Sequence, residues 1–251
     1  MAGYGALAEV YEWLISDAKV TPSEFAAAFN DVVTLLPPDA RVLDCSCGTG
    51  QLAVGLAGLG MRVVATDASA AMVRRTGELA EELGASVRAV RAGWEELPGL
   101  FDDESFDMVF CVGNSLHHVE GARARSAALE SMSRLLRPGG RLVLTSRNWE
   151  LVRAGGSRLV IRSQLVRRNG RDAVVAYRWE IAPHWEQEHR IEIAVAQLGA
   201  GGSVDVCSEL LSSWPYRHDD LTSELQGVGL TVERSTFDPT AEDYTVVATK
   251  D

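Results

Sequence analysis

The stretch Arg41–Gly50, RVLDCSCGTG, predicts a short buried strand that ends in an acid and turns on glycines. The run QLAVGLAGLG that follows is typical of a helix. Glycine adopts φ > 0 without steric cost and lets a ligand approach the backbone closely. A strand, a glycine turn and a helix start therefore indicate a ligand site of the nucleotide type at the carboxyl edge of a parallel sheet.

A second acid supports this interpretation, and the positions of the two acids limit which class of cofactor the site can bind. MRVVATD predicts a second strand that ends in Asp67, nineteen residues after Gly48, near the roughly twenty expected for an acid that binds ribose hydroxyls. Gly48, Gly50 and Ala53 also fit the G-x-G-x-x-A pattern of dinucleotide sites. Asp44 argues against a dinucleotide, because its carboxylate would repel a pyrophosphate and attract the ammonium of an amino-acid moiety. The acid favours the cationic cofactor S-adenosylmethionine; capping of the following turn is the alternative role for Asp44.

The amino-acid composition limits the class of protein and the partners it can bind. The chain has 251 residues, of which 46% are hydrophobic and 24% charged, which are ordinary globular values. The formal charge of −11 disfavours nucleic acid and anionic membranes, so a small-molecule acceptor is expected. No apolar run reaches the length of a membrane span, and the protein is predicted to be cytoplasmic. Cys45 and Cys47 lack a His or Cys partner at zinc spacing, so we expect no metal.

The apolar pattern predicts an α/β fold whose core is a mostly parallel sheet, built as one domain of four segments. These are a helical lid (1–38), a cofactor-binding core of alternating strands and helices (39–150), an antiparallel β cap (151–214) and a return to the core sheet (215–251). Strands of the cap are expected at 158–168, 173–181, 188–198 and 203–213, with a turn at Asn169-Gly170. In the lid, two helices are expected, the second beginning at Pro22.

Residues at the carboxyl ends of the strands are the candidates for chemistry. Trp94 follows the third strand and suits an adenine face, with a core role as the alternative. Asn114 follows the fourth strand and can both donate and accept hydrogen bonds to an acceptor. His117 and His118 are candidate bases or helix caps. Arg147 ends the apolar run RLVLTSR, so it meets an anion, an internal acid or solvent.

These segments, in this order, resemble the class I S-adenosylmethionine-dependent methyltransferases. Within them they are most similar to the glycine N-methyltransferase and glycine/sarcosine methyltransferase group. The matching strings are VYEWLISDAK, VLDCSCGTG, VATDASAAMV, CVGNSLHHV and RPGGRLVLTSRNWE, together with the tryptophan at 94. They cover about residues 4 to 150. The resemblance implies a Rossmann-like sheet of seven strands and S-adenosylmethionine as cofactor.

The resemblance also implies roles by position. The loop from Asp44 to Gly50 would hold the methionine part of the cofactor, and Asp67 its ribose. Asn114 would lie beside the acceptor amine, and Arg147 would bind the acceptor's carboxylate. Together with the strand ends it gives the expected cofactor-binding set: Tyr4, Asp44, Cys45, Ser46, Gly48, Gly50, Asp67, Ala68, Met72, Gly93, Trp94 and Val112. The expected catalytic set is Asn114, Arg147 and His118.

The expected function is therefore transfer of a methyl group from S-adenosylmethionine to the amine of a small amino-acid-like acceptor, such as glycine or a glycyl-type group. Substrate-side tyrosines of the resembled group have no clear counterparts here, since Tyr177 and Trp179 lie at other positions, so the acceptor pocket differs. The alternatives are O-methylation of a small metabolite with His117 or His118 as base, an NAD-dependent oxidoreductase, and an inactive cofactor-binding scaffold. The β cap could equally cover the pocket or mediate a homodimer.

Overall fold

The protein, in a computed structural model that describes residues 4–162 and 165–251, contains two sheets. Their strands are β1 (Arg41–Asp44), β2 (Arg62–Asp67), β3 (Val87–Arg91), β4 (Phe106–Cys111), β5 (Leu136–Arg147), β6 (Arg158–Ile161), β7 (Val166–Arg168), β8 (Arg171–Glu180), β9 (His189–Leu198), β10 (Val204–Ser213), β11 (Leu230–Ser235) and β12 (Asp243–Lys250).

The helices of the described residues connect these strands or cover them. They are α1 (Asp17–Val20), α2 (Pro22–Ala27), α3 (Asn30–Val33), α4 (Gln51–Gly58), α5 (Ala70–Glu82), α6 (Leu97–Leu100), α7 (Gly121–Leu135), α8 (Trp149–Ala154) and α9 (His218–Gly227). Single 3-10 turns or short 3-10 helices lie at Leu7–Trp13, Trp94–Glu96, Leu116–His118 and Ala200–Gly202.

The larger sheet has seven strands in the order β3-β2-β1-β4-β5-β12-β11. Strands β1 to β5 run parallel, and β12 lies antiparallel between β5 and β11. The expected Rossmann-like, mostly parallel fold is therefore confirmed. Strand β4 is buried along its whole length, as expected for a parallel strand covered on both faces.

Side-chain alternation on the central strands builds the two halves of the core. Val42 packs with the lid helices and α4, in a cluster that includes Phe29 and Leu56. Leu43, one residue on, packs on the opposite face in a cluster that includes α7 and the inner face of the cap. Both side chains are fully buried. Successive side chains of a strand point to opposite faces, so β1 packs against both layers that cover the sheet.

The cap is an antiparallel sheet in the order β10-β9-β8-β6, with β7 paired to β8. The expected turn at Asn169-Gly170 is confirmed: both residues have positive φ, at 50° and 75°, as a two-residue hairpin requires. The expected strand over 158–168 is present as β6 and β7, and residues 163–164 within it lie outside the described part of the chain, as do residues 1–3 of the expected lid.

The lid is helical as expected and α2 begins at Pro22 as predicted, but the expected number of two helices is wrong, because residues 7–33 form a 3-10 helix and three short helices. Carbonyls of the first segment bond to arginine side chains of the cap instead of to the next helical turn. Arg162 donates to the carbonyls of Trp13 (3.2 Å) and Leu14 (2.6 Å). Arg168 donates to those of Glu12 (3.0 Å) and Ile15 (3.2 Å). Tertiary hydrogen bonds therefore override the helical periodicity of this segment.

Candidate cofactor and acceptor site

Asp44, at the carboxyl end of β1, is a buried acid with spare hydrogen-bonding capacity. It is 1% exposed, and its Oδ1 accepts one long bond from the Ser46 N–H at 3.4 Å. Its Oδ2 has no hydrogen-bond partner among the described residues. Burial raises its pKa to about 7, with a smaller contribution from the nearby Asp67 charge. A cationic ligand would stabilise this carboxylate.

Asp67 joins the two loops that face this acid. Its Oδ2 accepts the Gly48 N–H at 3.1 Å and its Oδ1 accepts the Ser69 N–H at 2.9 Å. Burial raises its pKa, and these two backbone bonds oppose that rise. Since a carboxylate has about four acceptor positions, Asp67 keeps capacity for two further donors, such as vicinal hydroxyls.

The two glycines of the turn occupy backbone conformations that favour glycine. A Cβ on Gly50 would lie 2.9 Å from Thr76, and a Cβ on Gly48 would lie 3.7 Å from the ring of Tyr11. Both residues have positive φ, at 91° and 53°. The turn and its packing on α5 thus require both glycines, and Tyr11 of the lid covers the turn.

Next to this turn lies a cavity of about 660 Å³. It is lined by eight of the residues expected from the sequence: Tyr4, Cys45, Ser46, Asp67, Ala68, Gly93, Trp94 and His118. None of its described lining residues is Lys or Arg, whereas Asp67, Glu95, Glu120 and Glu188 are acids. This charge pattern fits a cationic cofactor without phosphates and disfavours a dinucleotide. S-adenosylmethionine, with an ammonium and a sulfonium, fits the residues present.

The remaining expected residues do not line this cavity: Asp44, Gly48, Gly50, Met72, Val112, Asn114 and Arg147. Met72 is 2% exposed and lies in the first turn of α5, where its N–H bonds to the Ser69 hydroxyl at 3.4 Å. Val112 is 4% exposed, and its carbonyl accepts the hydroxyls of Ser46 and Ser115, each at 2.9 Å. Both residues hold the loops in place through their backbones.

Trp94 lies at the boundary of the core and the cavity. Its side chain is 4% exposed, and its Nε1 donates to the Cys45 carbonyl at 2.7 Å. That bond fixes the indole against the end of β1. Trp94 therefore belongs to the hydrophobic core and also lines the cavity, so both of its expected roles apply.

His118 connects the cavity to the lid. Its Nδ1 lies 2.9 Å from the Ser212 carbonyl, and its Nε2 lies 3.1 Å from the Tyr4 hydroxyl. Because a carbonyl only accepts, Nδ1 carries the proton and Nε2 accepts from Tyr4. Burial lowers the pKa of His118. The ring is therefore neutral, and its one lone pair is already engaged.

His117 has a structural environment. It is 5% exposed, its ring nitrogen Nδ1 lies 2.8 Å from the Ser213 hydroxyl, and its carbonyl accepts the Trp214 N–H at 2.7 Å. Burial, followed by the nearby charges of His118 and Arg147, lowers its pKa well below the usual range. His117 is not among the described residues that line the cavity, so the cavity lining lends no support to its expected role as a base.

Asn114 follows β4 in a left-handed conformation, with φ of 63°. Thr145 of β5 holds this turn, because its Oγ1 accepts the N–H groups of Gly113 (3.0 Å) and Asn114 (3.3 Å). The Asn114 Nδ2 donates to Oδ1 of Asp243 at 3.1 Å. Its Oδ1 is buried and has no partner among the described residues.

Arg147, at the end of β5, lies with its guanidinium 5.2 Å from the ring centroid of Trp179 in the cap. Within the described part of the chain no carboxylate pairs with it at 4.0 Å or less. Its charge lowers the pKa of His117 and opposes the rise in the pKa of Tyr4. Arg147 is therefore a half-buried cation near the lid whose hydrogen-bonding edge is available to an anion.

Several residues of this region were not expected from the sequence. Thr145, Asp243 and Glu209 act through contacts that join distant strands, and Glu209 of β10 accepts the N–H groups of residues 5–7 at 3.1 to 3.3 Å. Of these three, only Thr145 could have been found from the sequence, because it lies two residues before Arg147 on the same strand.

Across residues 4–162 and 165–251, no group of His, Cys, Asp or Glu is placed to hold a metal ion. No helix of those residues is long and apolar enough to cross a membrane.

The sheet order and the paired acids at the ends of β1 and β2 are similar to those of class I S-adenosylmethionine-dependent methyltransferases. A family model described as a methyltransferase domain matches residues 42–140. The family match lies on the core sheet, where the candidate cofactor residues are.

Individual relatives extend the comparison. Glycine N-methyltransferase of Mus musculus is 29% identical over 164 residues, which cover 61% of this chain and 55% of the relative. Glycine/sarcosine N-methyltransferase of Aphanothece halophytica is 32% identical over 112 residues, covering 45% and 42% of the two chains. The chain spans about half the length of these curated relatives.

Among solved structures, an S-adenosylmethionine-bound amino pentose methyltransferase from Micromonospora echinaspora superposes with a TM-score of 0.75. The alignment covers 100% of this chain and 99% of that one at 21% identity. This likeness shows that the lid, core and cap together form a fold found in methyltransferases.

Proposed function

We propose that this protein transfers the methyl group of S-adenosylmethionine to the amine of a small amino-acid-like acceptor. The single observation that carries the proposal is the Asn114 amide, whose nitrogen faces Asp243 while its oxygen is buried and free. An oxygen in this state accepts an N–H from the acceptor and leaves the lone pair of the amine available for the methyl group. The curated relatives named above are N-methyltransferases.

The cofactor would lie along the carboxyl edge of the sheet. Asp44 would face its ammonium, Asp67 its ribose hydroxyls and Trp94 its adenine, and Ala68, Met72 and Gly93 would shape the adenine pocket. When bound, S-adenosylmethionine supplies an electrophilic methyl group on a sulfonium. Positive charge on that sulfur disperses during transfer, so alignment and a dry wall matter more than a strong acid or base. Tyr4 and Tyr11 supply that wall and exclude water.

Arg147 would bind the carboxylate of the acceptor. Its guanidinium has no acid partner at 4.0 Å or less among the described residues, and a planar fork matches a carboxylate in two hydrogen bonds. Asn114 lies three residues after the end of β4, and Arg147 is the last residue of the neighbouring parallel strand β5. An α-amino acid carries its amine and carboxylate on one carbon, so adjacent strand ends suit both groups.

O-methylation with a histidine base is the weaker alternative. The His117 Nδ1 already contacts the Ser213 hydroxyl at 2.8 Å, and the His118 Nε2 already accepts the Tyr4 hydroxyl. Burial lowers the pKa of both rings, which weakens them as bases. An amine that arrives neutral needs less help, because burial at the site disfavours its ammonium form.

We also infer that the outer face of the cap mediates a homodimer. This face presents exposed aliphatic side chains on its strands: Leu159, Ile161, Leu198, Val204 and Val206. Exposed apolar patches of several hundred Å² commonly mark protein contacts. The Arg178–Glu192 ion pair, at 2.9 Å, lies next to Leu159 on the same face. Light scattering would test this, and a monomer at micromolar concentration would refute it.

The decisive experiment for the reaction incubates the protein with methyl-labelled S-adenosylmethionine and separate amines. The panel contains glycine, sarcosine, glycyl conjugates, an amino sugar and a hydroxylated analogue without an amine. We expect labelled N-methyl product only from amines that carry a carboxylate. Arg147→Ala should raise the acceptor KM at least tenfold while the cofactor Kd changes less than twofold. Labelling of the hydroxylated analogue alone would overturn the amine proposal, and an unchanged KM would overturn the carboxylate part.

A further inference from the structure

We infer that Asp243 is a positioning residue that sets which end of the Asn114 amide faces the acceptor. The inference rests on the proposed N-methylation and adds a residue from the opposite end of the chain. Asp243 is the first residue of β12, 129 positions after Asn114. Its Oδ1 lies 3.1 Å from the Asn114 Nδ2.

The chemistry of the pair fixes the amide orientation. A carboxylate only accepts, so the amide must turn its NH₂ toward Asp243 and its oxygen away. In the reverse orientation two oxygens would oppose each other across the same distance. The Asn114 oxygen is buried without a partner among the described residues. Asp243 therefore converts a side chain that could donate or accept into one that presents an acceptor.

The protein holds both partners rigidly. Gly113 and Asn114 have consecutive positive φ values, 83° and 63°, and Thr145 accepts both of their N–H groups. This fixes the Asn114 backbone on β5. Antiparallel pairing sets Asp243 opposite Arg147, the last residue of β5.

The turn before Asp243 is fixed by a second asparagine. Asn148 is fully buried, and its N–H donates to the Glu242 carbonyl at 2.7 Å. Its Nδ2 donates to the carbonyls of Asp238 (3.1 Å), Pro239 (3.3 Å) and Ala241 (3.0 Å). Its Oδ1 accepts the Leu151 N–H at the start of α8. Residues 238–242 are thereby tied to the end of β5, and Asp243 leaves this turn at a defined place.

The orientation matters for an amine acceptor. An amide oxygen takes one N–H of a neutral amine and leaves the nitrogen lone pair free to form the N–C bond as the S–C bond breaks. An amide NH₂ would donate to that same lone pair and block it. Asp243 thus favours acceptors that still carry an N–H, and a tertiary amine has none to offer.

The test compares Asp243→Asn with a matched control, Glu242→Gln, which makes the same charge change at the neighbouring exposed position. An asparagine at 243 presents either a donor or an acceptor, so Asn114 is free to turn over. We expect kcat for the amine to fall about tenfold or more, with the Kd of S-adenosylhomocysteine within twofold of wild type. In an Asn114→Ala background the same substitution should change kcat less than twofold. Equal losses in both backgrounds would overturn the inference.

A second readout does not depend on turnover. The side-chain ¹⁵N–H₂ signal of Asn114, assigned by its loss in Asn114→Ala, should move in Asp243→Asn and stay at its wild-type position in Glu242→Gln. A signal that keeps its wild-type position in Asp243→Asn would overturn the positioning role. If the wild type methylates no amine while Asp243→Asn moves this signal, the proposed function fails and the Asp243–Asn114 contact stands.

Discussion

Replacing Asp44 with Asn is expected to stabilise the ligand-free protein while it weakens cofactor binding. Asp44 is 1% exposed, and burial raises its pKa from 3.8 to about 7. One pKa unit corresponds to about 1.4 kcal/mol, so the ionised carboxylate costs the folded state on the order of 4 kcal/mol at pH 8. Asparagine carries no charge but brings an amide that is short of partners, so we expect a net gain of about 2 kcal/mol.

The sign of the pH dependence follows from the raised pKa. The folded state holds the Asp44 proton more tightly than the unfolded chain does, so this group favours folding most at acidic pH. That contribution is lost as pH rises from about 4 to about 7. Asp44→Asn lacks this loss. Its advantage over the wild type should therefore be small at pH 4 and complete at pH 8.

Urea unfolding at both pH values, with and without S-adenosylhomocysteine, measures these effects. At pH 8 the variant should unfold at higher urea without ligand, and calorimetry should give a Kd at least tenfold weaker than that of the wild type. Asp205→Asn, an exposed acid on β10, is the control and should change neither quantity. A variant that loses stability equally at both pH values, or binds as tightly as the wild type, would refute the reasoning.

Two predictions concern the lid. Tyr4→Phe removes the hydroxyl that bonds to His118 at 3.1 Å but keeps the ring beside Tyr11; kcat/KM should fall roughly three- to tenfold with little change in the unfolding midpoint, and steady-state kinetics that match the wild type would contradict this. Arg168→Ala removes bonds to the carbonyls of Glu12 and Ile15. Stopped-flow release of S-adenosylhomocysteine should accelerate several-fold, and an unchanged rate would show that this clamp does not hold the lid closed.

Local sequence patterns predicted the core sheet because its strands follow rules that need no distant partner. Val42 and Leu43 alternate between two buried faces, and Asp44 and Asp67 end adjacent parallel strands. Glycines punctuate the turns. The resemblance of several sequence motifs to a known family then predicted that the cofactor binds at this same edge of the sheet.

Contacts between segments that are distant in the sequence could not be predicted from local patterns. The lid has helical periodicity, yet Arg162 and Arg168 of the cap capture its carbonyls. Gly50 fits the glycine pattern of a ligand-binding turn. In the structure, a side chain at this position would also clash with Thr76 of α5. Asp243 reaches Asn114 across 129 positions, and no local pattern encodes such a register.

The bonds between the lid and the cap join two segments that are remote in sequence. Arg162 and Arg168 hold one end of the first lid helix, and Glu209 holds the backbone N–H groups at the other. Opening the lid alone would break all of these bonds at once, whereas swinging both segments together breaks none of them. Product exchange should then be a collective hinge event, and amide hydrogen exchange over residues 4–15 should rise and fall in step with that of the cap segments that carry Arg162 and Arg168.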